Sequence, residues 1–560
     1  MLKKVIEIVS SVTKSYLSIY LMIFFLCLVP ILEIFSIGLF GVLTTRLITN
    51  SYNFTLFNYT FDLENYSINF LLFAFGFLYF IKTLILIGLT AFVDYFSFRF
   101  NYLVRKEILK KILKKNYEFF ITQRSADLTE LINRITGIFT VNILMAILKL
   151  ITHSIIFIAI ILFLFHLNNK AVFIIGFLGL FFATIYIYFI KSLLDRYGKQ
   201  TAEYAIKTTN KINETVSGIK EILTLGLEKM FTNKTINYSQ LLSINLFKSQ
   251  FLSGLPRFIF EFIIIIFLII YIVSSKSDFE DDLVSLSMFL FASIRLLPSL
   301  NTITKSFNEY NFGKYTINRI HSNLFKNVKD KKNLYKPKID TINNIELNNV
   351  SFKYPNQKNF IFRNLNFKIK KGQFIGIKGE SGSGKSTFLN LLLTLINSQS
   401  GNILINKFKF SAKKIDHLDL SNFKNKILYA SQEPLIINET IKKNIILEKK
   451  FENNLFKNVL KKAKIDFYNN RSNIKVGERG IKLSGGQRQK ILIARALYHK
   501  KDLIILDETT NSLDLESENI ILKNLNNIKR NKMILIVSHK KQSFNLCDKV
   551  YELKKNKLIL

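Results

Sequence analysis

The sequence predicts a chain of two parts: an all-α transmembrane domain of six helices over residues 1–312, then an α/β phosphate-binding-loop domain over residues 346–560. Residues 313–345 are expected to form an exit helix and a linker between them. Three observations lead there. Long apolar runs such as FEFIIIIFLIIYIV all lie before residue 320, although the whole chain is 49% hydrophobic with a mean hydropathy of +0.22. After about residue 312 the composition turns polar and basic, and strand-like alternation begins at Ile345. A glycine-rich loop then stands between an apolar strand and an apolar helix. At 560 residues the chain exceeds what one core of about 250 to 300 residues accommodates.

Six stretches, near 16–44, 68–96, 137–166, 171–193, 251–273 and 284–310, match the roughly 20 helical residues that cross a hydrocarbon core about 30 Å thick. The segments 97–136 and 194–250 are rich in lysine, whereas SSKSDFEDDL at 274–283 is mostly acidic. By the positive-inside rule the lysine-rich loops and both termini are cytoplasmic. Both loops are helix-periodic and long enough to form paired helical extensions of roughly 30 Å or more. The two lysines before the first span, with no small-residue cleavage pattern behind it, read as a retained helix.

A formal charge of +38 suggests nucleic-acid binding in a soluble chain, but lysine here accompanies Asn, Ile and Phe throughout and no nucleic-acid motif is present. The expected partner for the basic excess is anionic lipid, not nucleic acid. With only Cys27 and Cys547, no structural disulfide is expected.

The residues that carry chemistry lie in the second part. Gly379, Glu380, Ser381, Gly382, Ser383, Gly384, Lys385, Ser386 and Thr387 form a complete phosphate-binding loop. Its glycines let backbone N–H groups face phosphates at a helix N-terminus, Lys385 reaches the β- and γ-phosphates, and the Ser386 hydroxyl ligates Mg²⁺. In KDLIILDETT a buried strand ends in two carboxylates: Asp507 suits the metal side and Glu508 can polarise an attacking water. Between them LSGGQ, with Ser484, Gly485, Gly486 and Gln487, opens an amphipathic helix with a second set of phosphate-binding donors. One domain does not need two such helix starts for one nucleotide; two domains arranged head to tail do.

This combination resembles the ATP-binding-cassette family over residues 346–560, and LSGGQ with a correctly placed phosphate loop and acidic strand is highly specific. The resemblance implies further roles. Tyr354 in VSFKYP matches the residue that stacks on adenine, Gln432 in YASQEP the glutamine at the Mg²⁺ site, and His539 the switch histidine facing the γ-phosphate. Asp514 in NSLD matches a loop usually written SALD; the departure lies at its first two positions. VGERG at 476–480 resembles an exporter-type loop. Tyr117 to Gln123 and Gly218 to Gly226 are the candidates for the short coupling helices of such exporters.

A Lys or Arg at mid-bilayer costs about 2.5 to 3.5 kcal/mol on insertion scales. Lys82, Lys149, Arg257 and Arg295 are therefore candidates to face a wet cavity, with snorkelling at the helix ends as the alternative. LEIFSIGLF, GIKEILTLG and ASIRLLPSLNTI resemble flippases of polyprenyl-diphosphate-linked oligosaccharides. That resemblance implies a pyrophosphate held by Lys82, Arg257 and Arg295, and a short outer helix over NYTFDLENYSINF. The resulting expectation is an ATP-hydrolysing half-transporter of the bacterial cytoplasmic membrane, using ATP and Mg²⁺ and paired with a second copy. Its expected cargo is a lipid-linked oligosaccharide or other glycolipid. Lipid A, phospholipid, peptide or drug export is the alternative, and an ATP-gated channel or regulatory ATPase is the rival class.

Overall fold

The computed structural model describes residues 1–13, 17–48, 53–56, 59–62, 66–167, 169–274, 279–325, 339–354, 357, 359–406, 408–411, 420–554 and 557–560. The chain divides into two compact units, one of Met1–Lys115 with Phe119–Val328 and one of Asn116–Glu118 with Lys329–Leu560.

In the first unit a short amphipathic helix α1 (Leu2–Thr13) precedes α2 (Leu17–Ile48) and a β1 (Asn53–Leu56)–β2 (Tyr59–Asp62) hairpin. Then come α3 (Ile68–Leu113), α4 (Tyr117–Thr122), whose first two residues belong to the second unit, and a continuous helical run over 125–167. Within that run α5 (Ser125–Glu130), α6 (Thr136–Ile138) and α7 (Ala146–Leu167) are joined by π-helical stretches at Leu131–Ile135 and Phe139–Met145. The unit closes with α8 (Asn169–Ser217), α9 (Ile219–Leu225), α10 (Glu228–Ser274), α11 (Phe279–Gly313) and α12 (Tyr315–Phe325).

The six apolar stretches all fall on long helices. Among the described residues five helices are long and apolar enough to cross a membrane. The stretch 171–193 lies on α8, where most side chains fall outside the described set. Helices α3, α8 and α10, of 46, 49 and 47 residues, run past a bilayer's thickness without a break. At 1.5 Å per residue each is roughly 70 Å long. The periodic basic loops are thus continuations of the spans, and short helices α4 and α9 stand at their turns. Gly226, at φ +66°, closes α9 in the left-handed conformation that glycine adopts without steric cost.

One expectation is corrected here. The outer segment around NYTFDLENYSINF carries β2, paired antiparallel with β1 from Asn53↔Asp62 to Leu56↔Tyr59, where a short helix is expected. The alternating Phe, Thr and Tyr of these strands favour extended backbone. The segment 313–345, expected as an exit helix and a linker, begins with α12, whose Thr316, Ile317, Ile320 and Leu324 are buried. Lys4 Nζ donates to Asn318 Oδ1 at 2.7 Å and Glu7 pairs with His321 at 2.9 Å, so α1 is fastened to α12 within the first unit.

The second unit is built on two sheets. A six-stranded sheet has the order β12 (Lys557–Ile559), β11 (Lys549–Lys554), β5 (Phe374–Gly379), β10 (Met533–Val537), β9 (Leu503–Asp507), β8 (Ile427–Ala430), parallel except at β12. An antiparallel four-stranded sheet has the order β4 (Phe362–Lys370), β3 (Asn344–Phe352), β6 (Ser400–Ile405), β7 (Phe408–Ser411). Helices α13 (Lys385–Leu392), α14 (Leu420–Asn425), α15 (Ile441–Ile446), α16 (Asn453–Lys462), α17 (Gly485–Tyr498) and α18 (Leu515–Ile528) complete it.

Strands β9 and β10 are buried along their whole length because both faces of the parallel sheet are covered. Their side chains alternate between two cores. Leu503, Ile505, Met533, Leu535 and Val537 join one with α13. Ile504, Leu506, Ile534 and Ile536 join the other with α17 and α18. This doubly covered sheet holds the C-terminal ends of β5 and β9 side by side with β10 between them.

Cys547 packs beside Phe544 in the second core, and burial pushes its thiol up to about 12, with Asp548 adding to the shift. A thiol that stays protonated near neutrality is a poor nucleophile. In a Cys27→Ser background, labelling by iodoacetamide at pH 8 is expected to be at least about 10-fold slower for the native protein than for the denatured chain.

Candidate functional site

The turn after β5 is shaped by glycine. Gly382 and Gly384 have φ of +79° and +99°, and a Cβ on Gly384 would stand 3.0 Å from the Phe362 ring. Only glycine lets this loop wrap closely and present its backbone N–H groups. Lys385, the first residue of α13, turns its side chain back over the loop and donates to the carbonyls of Gly379 at 2.8 Å and Glu380 at 3.0 Å. Burial lowers its pKa, against the opposing pull of Glu508 and Asp507.

Around this loop is a cleft of about 970 Å³ lined by Ser381 to Thr387, Gln432, Glu508 and His539. Four segments far apart in sequence meet here because β5, β9 and β10 end together and the loop after β8 folds across them. Glu508, at the first position past β9, is the focus. Its Oε2 accepts from Gln432 Nε2 at 3.1 Å and from Asn511 Nδ2 at 3.2 Å. Its Oε1 lies 3.0 Å from His539 Nε2. The same histidine nitrogen is 3.1 Å from Lys385 Nζ and cannot serve both neighbours at once. The lysine already has two carbonyl acceptors, so we assign the imidazole N–H to Glu508.

Glu508 has φ +52°, a left-handed conformation that costs a non-glycine residue about 1–2 kcal/mol. Strain of this kind collects at functional sites. It is held by Glu508 N donating to Val537 O at 2.9 Å, which ties the carboxylate to the strand leading to His539. Asp507 is 8% exposed. Burial raises its pKa, while a hydrogen bond from Tyr429 opposes the shift.

The loop Asn511–Asp514 is fastened from three sides. Asn511 reaches Glu508. Gln489 of α17 exchanges two bonds with Ser512, at 3.1 and 3.3 Å. Lys540, next to His539, donates to Leu513 O at 3.5 Å, and to Thr510 O and the buried Glu518, each at 3.2 Å. The two positions that depart from the family's loop pattern, Asn511 and Ser512, both make side-chain bonds, to Glu508 and Gln489. Asp514 caps α18 by accepting from Ser517 N at 2.9 Å.

Ser484, Gly485, Gly486 and Gln487 form the start of α17, where Ser484 and Gln487 make a reciprocal capping box. They and Asp514 do not line the cleft of Lys385. Tyr354 does not line it either: its ring meets Phe352 edge-on at 5.0 Å and its hydroxyl lies 3.4 Å from Thr387 Oγ1. Phe360, overlooked in the sequence, lines the mouth and carries Lys353 and Arg363 over its ring at 5.5 and 5.2 Å. Its signal was an aromatic residue just ahead of β4, with no motif to mark it.

Comparison with known proteins agrees with both units. Residues 19–296 match the ABC transporter transmembrane region and residues 362–511 the ABC transporter ATP-binding domain, together well over half of the chain. The chain belongs to the ABC transporter family. This ABC transporter chain is 37% identical over 211 residues to a putative export ATP-binding/permease protein of Rickettsia bellii (strain RML369-C), covering 37% of this chain and 36% of the relative. To an ATP-dependent lipid A-core flippase of Wigglesworthia glossinidia brevipalpis it is 29% identical over 358 residues, covering 62% and 60%. It spans less than two thirds of the length of each of these curated relatives. A solved bacterial Atm1-family ABC exporter with ATP bound has the same fold, with a TM-score of 0.79 at 17% identity over 98% of this chain and 95% of that one.

In the membrane unit of the transporter the three basic residues expected at a pyrophosphate separate. Lys82 is 1% exposed and bonds to Glu33 at 2.7 Å and Ser36 at 3.2 Å. This corrects the expectation that Lys82 faces a wet cavity: α2 supplies a carboxylate that neutralises it. Arg257 pairs with Glu261 one turn along α10 at 2.9 Å, and its side chain is 61% exposed. Arg295 lies over the Tyr79 ring at 4.8 Å and the Phe291 ring at 5.8 Å, and its buried Nε has no hydrogen-bond partner among the described residues.

Proposed function

We propose that this chain uses ATP hydrolysis to export or flip an amphipathic anionic substrate across the bacterial cytoplasmic membrane, with its ATP-binding unit on the cytoplasmic side. A lipid-linked oligosaccharide or related glycolipid is the favoured cargo. The observation that carries the reading is the convergence of Lys385, Gln432, Glu508 and His539 on one cleft, in a chain whose other half is long apolar helices.

In this reading the backbone N–H groups of the 379–387 loop and Lys385 hold the β- and γ-phosphates. Glu508 takes a proton from the attacking water, and His539 hands its N–H from Glu508 to the γ-phosphate. Tyr354 meets adenine at the edge of the loop. Ser386, Gln432 and Asp507 supply only oxygen donors, the chemistry that suits Mg²⁺. When bound, Mg²⁺ neutralises phosphate charge; the chain's own task is to orient the phosphates and the water.

A second copy is the proposed partner. Ser484, Gly485, Gly486 and Gln487 stand outside this chain's own cleft, and beside them and Asp514 the apolar Ile481 and Leu515 are 80% and 57% exposed. An ATP held between Lys385 of one copy and Ser484 of the other uses both sets of donors and covers that surface. The short helices α4 and α9 are the proposed couplers to the membrane unit.

Arg295 supports an anionic cargo. A guanidinium that, among the described residues, stacks on aromatic rings and leaves its Nε unpartnered can offer planar donors to a phosphate or carboxylate. The similarity to a lipid A-core flippase points to lipid, with lipid A or phospholipid as the alternative. ATPase activity of the reconstituted protein is expected to rise with a polyprenyl-diphosphate lipid and not with its neutral alcohol. Arg295→Ala is expected to raise the half-stimulating lipid concentration about 10-fold, the loss of one charge-assisted pair, while Arg257→Ala leaves it unchanged. Equal stimulation by the neutral alcohol would contradict the anionic reading.

A further inference from the structure

The carboxylate of Asp507 is held by a residue that no motif marks. Tyr429 lies on β8, paired in parallel with β9 in a register that sets Tyr429 beside Ile505 and Ala430 beside Leu506. Asp507 is therefore the diagonal neighbour, two residues further along the same face. Diagonal neighbours are about 7–8 Å apart, within reach of an aromatic side chain and beyond that of a short one. The Tyr429 hydroxyl covers that gap and donates to Asp507 Oδ2 at 2.7 Å.

Tyr429 is not a buried core residue. It is 38% exposed on a strand whose ends, Ile427 and Ala430, are buried. The hydroxyl at the end of its long rigid ring reaches the carboxylate, a bond that an aliphatic residue could not make. The bond occupies one oxygen of Asp507 and sets the plane in which the other lies. Three residues later the same chain segment contacts Glu508 through Gln432, so it is fastened to both acidic residues at the end of β9.

We propose that Tyr429 is a positioning residue for Asp507, and that through it Tyr429 sets the affinity of the nucleotide site for Mg²⁺. Residues that hydrogen-bond a metal-side carboxylate fix its orientation, and losing one typically costs 10- to 100-fold in metal affinity or activity. Tyr429→Phe removes the hydroxyl and keeps the ring. The proposal rests on the ATP and Mg²⁺ reading of the site and is independent of the cargo.

The test uses the full-length protein and a fluorescent ATP analogue, titrated with Mg²⁺ and, separately, bound in EDTA. Tyr429→Phe is expected to raise the Mg²⁺ concentration for half-maximal tight binding about 10-fold and to leave binding in EDTA unchanged. An unchanged Mg²⁺ requirement overturns the proposal. So does a parallel loss of binding in EDTA, which marks a structural residue. Failure of the unsubstituted protein to bind the analogue at all would instead remove the ATP reading, so the two failures are distinct.

Discussion

Glu508→Gln is expected to lower ATP turnover by at least about 10²-fold, the lower end of what a positioned general base contributes. Nucleotide binding should stay within about threefold, because the phosphate-holding groups are untouched. The geometry makes this a sharp test. Glutamine keeps the shape of the side chain and leaves one oxygen to accept from Gln432, Asn511 or His539, all of which contact Glu508 here. It cannot take a proton from water. A substituted protein that still hydrolyses ATP at more than a tenth of the native rate would assign the base elsewhere. ATPase and binding assays on the same preparation separate this from misfolding.

Lys385→Ala is expected to act one step earlier, raising the dissociation constant for ATP about 100-fold, or about 2.7 kcal/mol at 1.36 kcal/mol per tenfold. The lysine is 8% exposed and spans two carbonyls of its own loop as well as the space above it. Alanine therefore removes a charge from the phosphate site and unfastens the loop that carries the backbone donors. Equilibrium binding of a fluorescent ATP analogue measures the effect. If binding survives, the phosphates are held by backbone N–H groups alone.

These predictions draw on the part of the molecule most legible in the sequence. Glycines at 382 and 384, a lysine at a helix start and carboxylates at the end of a fully apolar strand announce their geometry locally, because each depends on neighbours within a few residues. The long helices were legible for the same reason. What was not legible is set by contacts between distant segments. Lys82 is a basic residue in a span, and nothing near it in sequence reveals that Glu33, 49 positions earlier, neutralises it. Tyr429 is one tyrosine among 23 until strand register brings it diagonal to Asp507. Asn511 and Ser512 read as departures from a pattern and turn out to hold Glu508 and Gln489. The β1–β2 hairpin is legible in an alternation of aromatic and β-branched residues, against which the resemblance to a helical segment runs.

The central claim is that ATP hydrolysis at Glu508 moves an anionic amphipathic lipid from one leaflet to the other. The direct measurement is translocation of a fluorescent polyprenyl-diphosphate-linked oligosaccharide in proteoliposomes, read by protection from an impermeant quencher. The account predicts protection that requires ATP and Mg²⁺ and falls to the protein-free level with Glu508→Gln. Translocation that proceeds equally without ATP, or equally in the Glu508→Gln protein, would contradict it.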